Sequence, residues 1–171
     1  MVVATPALAD PNFAHTVVLL LDHNEQGALG IVLNRPSGVE VADTVPRWDT
    51  LVATPKVMFV GGPVQPEAVV ALCPAQEDSE EVSLVAAGIG IVDLRSDPLS
   101  LIGTVRGLRL FAGYAGWGDG QLEGEISDGG WFLVDPRPDD ISRPDPEGLW
   151  VEVLARQGGV FTTITEDPSL N

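Results

Sequence analysis

The chain has 171 residues, of which 25 are acidic and 9 are basic, so its formal net charge at pH 7 is −16. This length suits one domain spanning residues 1–171, and the negative charge repels phosphate backbones and anionic lipids, so direct nucleic-acid binding is disfavoured. Because the apolar runs are too short to cross a bilayer and no signal peptide is recognisable, we expect a cytoplasmic protein with no membrane part.

The first half of the chain predicts two hairpins. Residues 16–22 and 28–33 are apolar runs of strand length, and residues 23–27 between them predict a five-residue loop. The continuous apolar character of both runs predicts burial on both faces of a sheet. A short helix at 41–45 and a second strand pair follow; the strands of that pair are predicted at 56–61 and 68–73.

The second half continues with short strands and short helices. Asp97 followed by a proline predicts an N-cap and the first residue of a brief helix. The other predicted elements are strands at 82–86, 89–94, 108–112 and 131–134, and helices at 121–127 and 147–157. Hairpins interspersed with short helices, without regular strand-helix alternation, predict an α+β fold.

The most distinctive segment is the glycine-rich run at 113–126. It follows a predicted strand and precedes a predicted helix, which is the context in which backbone amides bind phosphate. It lacks the glycine spacing of phosphate loops, and Asp119 and Glu123 at the start of the helix would compete with a bound anion. We interpret the run first as tight turns with Asp119 as the helix cap, and second as an acidic recognition surface. Trp117 either belongs to the core or, if exposed, is an interface anchor.

Few other residues suggest chemistry. Glu123 and Glu125 together with Asp119 have the oxygens of a divalent-cation site, but a helix points the two glutamates about 200° apart, which favours a solvated acidic face. His23 suits a turn or capping role, because the other histidine lies near the opposite end of the same predicted strand. Cys73, in an apolar run, is predicted to be a core residue. Common hydrolase and zinc signatures are absent, so neither a metal nor a cofactor is predicted.

Four blocks of the sequence resemble a known family in their order and spacing. They are Ala-Thr-Pro-Ala-Leu-Ala-Asp-Pro-Asn-Phe at 4–13, His-Asn at 23–24 with Gly-Ala-Leu-Gly-Ile-Val-Leu-Asn-Arg-Pro at 27–36, Gly-Gly-Pro-Val at 61–64, and the segment 111–126. These blocks are similar to the bacterial YqgE/AlgH family. The resemblance implies a cytoplasmic bacterial protein whose largely antiparallel, branched sheet curls into a pseudo-barrel with a few short helices. It implies no established activity, although some members are labelled transcriptional regulators because of genetic effects.

Two functions stay open on these grounds. The first is a non-enzymatic regulatory or protein-binding domain, an indirect transcriptional regulator, that presents the segment 113–125 to a protein partner. The alternative is a small-molecule sensor or an enzyme whose pocket combines five polar side chains of two blocks. These five are His23, Asn34, Arg35, Gln121 and Glu123. The residues predicted to bind are His23, Asn34, Arg35, Trp117, Gln121, Glu123 and Glu125, and no catalytic residue is predicted.

Overall fold

The ten strands of the described residues form one branched β-sheet. The computed structural model describes residues 1–86, 88–159, 161 and 164. The strands are β1 (Val2–Ala4), β2 (Val17–Asn24), β3 (Gly27–Val32), β4 (Pro36–Glu40), β5 (Val57–Val60), β6 (Val64–Pro74), β7 (Val82–Ala86), β8 (Ile89–Val92), β9 (Arg109–Trp117) and β10 (Trp131–Leu133).

The sheet runs in the order β10, β1, β2, β3, β9, β6, β8, β7, and every neighbouring pair in that order is antiparallel. It branches at β9, where Phe111 pairs in parallel with Phe59 of β5, whereas Ala115 pairs with Gly30 of β3. β5 in turn pairs with β4. The sheet curls without closing, so the predicted α+β fold with a branched, largely antiparallel sheet is confirmed.

The helices are short; the first two lie between strands along the chain, and the last two follow the final strand. They are α1 (Val41–Thr44), α2 (Gln121–Ser127), α3 (Asp139–Ser142) and α4 (Leu149–Ala155), with 3₁₀ turns at Pro46–Leu51 and Pro98–Leu101. The predicted cap at Asp97 is confirmed, because its carboxylate accepts a hydrogen bond from the amide of Leu99 at 3.1 Å. In the described part of the chain, no helix is long and apolar enough to cross a membrane.

Both faces of the central strands are buried, as their apolar runs predict. Val17 and Leu19 of β2 pack in one cluster with Trp150 of α4. Val18, between them, points to the other face and packs in a second cluster with Trp117. Successive residues of a strand point to opposite faces, so a run without polar residues is expected where both faces are covered.

A third cluster lies under the 3₁₀ turns and contains Cys73, which is fully buried as predicted. Burial raises the pKa of its thiol to about 11. The thiol is therefore neutral at physiological pH.

The first hairpin is tighter than the sequence suggests. The predicted five-residue loop is wrong, because β2 and β3 remain paired as far as Asn24 and Gly27. Only two residues form the turn, and Asn24 Oδ1 accepts a hydrogen bond from the amide of Gln26 at 2.8 Å. The side chain of Asn24 accepts a hydrogen bond from the backbone two residues further along the chain, which stabilises the short turn, so no longer loop is needed.

The glycine run is mainly strand and not a series of turns. β9 does not end at residue 112 as predicted but continues to Trp117. Gly113, at a φ of 73°, lies where the sheet branches, and a Cβ atom there would be 2.5 Å from the carbonyl oxygen of Gly62. Glycine is required here for two reasons: the two backbones approach closely, and the positive φ is one that residues with a Cβ atom rarely adopt.

Candidate functional site

The helix α2 is joined to the end of β9 by a tight connection. The N-cap of α2 is Gly120, at a φ of 66°, and no side chain caps the helix. The predicted Asp119 cap is therefore wrong, because the chain enters the helix through a left-handed residue that glycine adopts readily. Gln121 makes the local contact instead, since its Oε1 accepts a hydrogen bond from the amide of Gly118 at 3.0 Å.

The carboxylate of Glu125 fixes the inner face of α2. It accepts hydrogen bonds from the indole nitrogens of Trp117 at 3.0 Å and Trp131 at 2.8 Å, and from Gln121 Nε2 at 2.8 Å. Trp117, Gln121 and Glu125, three of the residues predicted to bind, are thus in contact with one another, and their hydrogen bonds stabilise the fold. The side chain of Trp117 is 5% exposed, so it is a core residue and not an exposed anchor.

Two aromatic residues of this cluster were not predicted from the sequence. Trp131 is buried beside Trp117, with ring centroids 5.9 Å apart. Phe13 covers both indoles, stacked on Trp117 at 5.8 Å and edge-on to Trp131 at 5.6 Å. The spacing of these residues along the chain gave no signal, because the contact depends on how the sheet is ordered.

Glu123 lies on the outer face of the same helix. Its Oε1 is 2.5 Å from Nε2 of His23, near the end of β2, and both side chains are about half exposed, at 53% and 47%. The hydrogen bond from His23 is the main reason why the pKa of Glu123 lies below its usual value. Glu123 and Glu125 therefore point in opposite directions, as their helical spacing predicts.

Asn34 and Arg35 bind to their own chain elsewhere. Asn34 is buried, and its Oδ1 accepts a hydrogen bond from the amide of Val17 at 3.0 Å while its Nδ2 donates to the carbonyl of His15 at 2.9 Å. Arg35 Nη2 donates to the carbonyl of Pro11 at 2.9 Å, and partial burial lowers the pKa of this guanidinium. Both side chains hold the loop that precedes β2.

The predicted binding residues therefore form two groups. Asn34 contacts Val17, the first residue of β2, whereas His23 is the seventh residue of the same strand. With about 3.3 Å per residue, the two ends are roughly 20 Å apart. The five residues proposed for one pocket are thus not brought within hydrogen-bonding reach of one another.

The surface around α2 is strongly acidic. Neither residues 16–34 nor residues 111–136 contain a lysine or an arginine. We call the exposed part of this surface the α2 face; its acidic residues are Asp22, Glu25, Asp119, Glu123 and Asp128. Within the residues that the structure describes, no three histidine, cysteine, aspartate or glutamate side chains are grouped to hold a metal ion.

Comparison with known proteins identifies the family of this chain. The AlgH-like family model matches residues 1–162. The chain belongs to the YqgE/AlgH family. A UPF0301 protein of Streptomyces coelicolor is 51% identical, over 100% of this chain and 93% of the relative. A UPF0301 protein of Thermobifida fusca is 40% identical, with the same two coverages.

Solved structures of family members share the fold. A crystal structure of a Corynebacterium diphtheriae protein has a TM-score of 0.88 at 33% identity and covers 94% of this chain and 86% of its own. The solution structure of AlgH from Pseudomonas aeruginosa has a TM-score of 0.70 at 35% identity, with coverages of 92% and 87%. The family is one of uncharacterised proteins, so a function has to be argued from the site.

Proposed function

We propose that this chain is a cytoplasmic, non-enzymatic protein-binding domain whose α2 face receives a basic protein partner. The observation that carries the proposal is the acidic surface around the outward-pointing Glu123, in a region without lysine or arginine. An extended patch of one charge steers an oppositely charged partner and disfavours wrong ones.

The anchoring of α2 supports this role. Because Glu125 is bonded to two buried indoles, the helix is held in one orientation while Glu123 and Gln121 stay exposed. A surface that is rigid before binding loses less conformational entropy when a partner docks. Because buried side chains hold α2 in place, a helix of only seven residues is rigid enough to take part in recognition.

The same charge bears on how a regulatory role would be carried out. The α2 face repels a phosphate backbone, so an effect on transcription is better explained by a bound protein than by direct contact with DNA. We therefore propose that this family member regulates transcription indirectly, through a protein partner.

The alternative, a sensor or an enzyme with one pocket built from five residues, has less support. Asn34 and Arg35 are occupied by bonds to their own backbone and lie at the other end of β2 from His23. What remains of this hypothesis is the exposed pair of His23 and Glu123, which lacks the enclosed surroundings that favour catalysis.

Charge reversal on the α2 face tests the proposal. The double variant Asp119→Lys with Glu123→Lys is compared with Glu80→Lys, a single reversal in an exposed loop outside the α2 face. Crosslinking in the producing bacterium, followed by affinity capture and mass spectrometry, should recover a basic protein with the wild type and with Glu80→Lys but not with the double variant. Recovery of every wild-type partner by a folded double variant would refute the proposal.

A further inference from the structure

A cleft of about 590 Å³ opens at a part of the protein that the α2 face does not include. It lies where the end of β6 meets the turn between β7 and β8, the loop at 104–107 and the helix α3. None of the residues predicted to bind lines it. Its size falls within the range of about 300–1,000 Å³ that is usual for small-molecule sites.

The walls of the cleft are fixed by two close contacts. A Cβ atom on Gly88 would lie 2.5 Å from Cγ of Pro138, and one on Gly107 would lie 2.8 Å from Oγ of Ser142. Both glycines also have a positive φ, of 76° and 71°. The turn and the loop therefore approach α3 as closely as glycine allows, so the cleft is formed before any ligand binds.

The cleft has an apolar floor and charged groups at its rim. Cys73, Val82 and Val105 are buried beneath it, and the thiol of Cys73 is neutral. The rim carries one cation, Arg106, which is exposed. The rim also carries two anions, Glu77 and Asp139, and both are exposed.

The side chains of Arg106, Glu77 and Asp139 take part in no hydrogen bond or ion pair among the residues that the structure describes. Most other cations of this chain are engaged, for example Arg156 with Asp140. An unpaired arginine beside a cleft, in a protein of net charge −16, is free to bind an anionic group.

We propose that this cleft binds a small zwitterionic molecule of about dipeptide size. Its carboxylate pairs with Arg106, its ammonium group lies between Glu77 and Asp139, and its side chains cover the apolar floor. A simple anion is disfavoured because the negative field of the protein repels it. A simple cation would leave Arg106 without a counter-charge, so a ligand with both charges matches the rim best.

Three related probes test how much each charge of the ligand contributes to binding. They are L-leucyl-L-alanine, its N-acetylated form, which lacks the cation, and its C-terminal amide, which lacks the anion. Isothermal titration should show binding of the free dipeptide about tenfold or more tighter than of either blocked form, as expected when a charge-assisted hydrogen bond is lost. Equal binding of the three probes, or no binding of any at about 10 mM, overturns the proposal.

Variants of the protein test whether the dipeptide binds in the cleft. Arg106→Ala should lower affinity for the free dipeptide about tenfold and remove its advantage over the amide. Arg95→Ala, which changes an exposed arginine outside the cleft, should bind like the wild type. Thr104→Trp, checked for folding by circular dichroism, should block the cleft and abolish binding. Wild-type affinity in a folded Thr104→Trp or in Arg106→Ala contradicts the proposal, as does an equal loss in Arg95→Ala.

Discussion

Trp117 and Trp131 share one hydrogen-bond acceptor, because both indole nitrogens donate to Oε2 of Glu125. Trp117 ends β9, and Trp131 begins β10, which is separated from β9 in the sheet order by β1, β2 and β3. A single carboxylate on α2 therefore connects two strands that are not neighbours in the sheet. It is the contact on which the geometry of the α2 face depends.

Replacing Glu125 should destabilise the fold. In Glu125→Ala two buried indole N–H groups lose their acceptor, and each unsatisfied group costs about 1–3 kcal/mol, so the free energy of unfolding should fall by about 2–6 kcal/mol. Urea unfolding followed by far-ultraviolet circular dichroism measures the change. The control is Glu123→Ala on the outer face of the same helix, which should unfold close to the wild type. Equal losses in both variants would contradict the assigned role.

The carboxyl group of Glu123 should titrate below the usual glutamate range. The hydrogen bond from His23 favours the carboxylate, which lowers the pKa of Glu123. The stability that this contact contributes is present above the unfolded pKa of about 4.3 and is lost as pH falls through the lowered folded value. Carbon-13 NMR of the side chain across the acid range measures the pKa. In His23→Ala, which has no side-chain donor, it should rise towards the ordinary value; an unchanged value would remove His23 as the cause.

A methyl group at Gly27 should disrupt the junction of β3 and β9. A Cβ atom there would lie 2.0 Å from the carbonyl oxygen of Trp117, and the φ of Gly27 is 129°. Gly27→Ala should therefore lower the free energy of unfolding by more than about 2 kcal/mol. Gly124→Ala is the matched control, since its Cβ would meet nothing within 4 Å in the middle of α2. That variant should be about 1 kcal/mol more stable than the wild type. Changes of the same sign in both variants would contradict this prediction.

Arg156, which is largely buried, and Arg109, which is fully buried, should respond differently to replacement by methionine. Arg156 is paired with Asp140, whose side chain is 3% exposed, so Arg156→Met leaves a buried carboxylate unpaired and should cost about 3–5 kcal/mol. Arg109 is fully buried without an ion pair among the described residues, and burial lowers its pKa to about 10. It packs over the ring of Phe59 and donates to the carbonyl of Thr54.

Arg109→Met removes an unfavourable buried charge together with these contacts, so it should cost less than about 1.5 kcal/mol. Thermal or urea unfolding of the two variants at one pH gives the comparison. The reverse order of stability would show that Arg109 makes the more favourable net contribution.

Local patterns predicted the elements whose contacts are local. The i, i+4 spacing of apolar residues correctly predicted α2 over residues 121–127, because a helix satisfies its own backbone hydrogen bonds. The glycine run was misread because glycine is a turn signal in isolation. Its meaning here depends on Gly62 and on the branch of the sheet, which are distant in sequence.

At the candidate site, the contacts of individual side chains could likewise not be predicted from local sequence patterns. Asn34 and Trp117 belong to blocks that resemble the family, but the sequence does not tell whether a residue contacts its own chain or a partner. Asn34 is bonded to the backbone of the preceding loop, and Trp117 is buried against Glu125. Glu123 and Glu125 could be separated in advance, since their opposite directions follow from helix geometry alone.

The position of β1 between β2 and β10 has a consequence for synthesis. On the ribosome β1 emerges first, yet Trp150, whose indole bonds to the carbonyl of Ala4, follows 146 positions later. At about 5–20 residues per second, this delay is roughly 7–30 s. For most of that time, until β10 is made, the apolar residues of β1 have only β2 to pair with and nothing to cover their other edge. The nascent chain therefore exposes an open strand edge of the kind that chaperones bind, until the second half of the protein has been made.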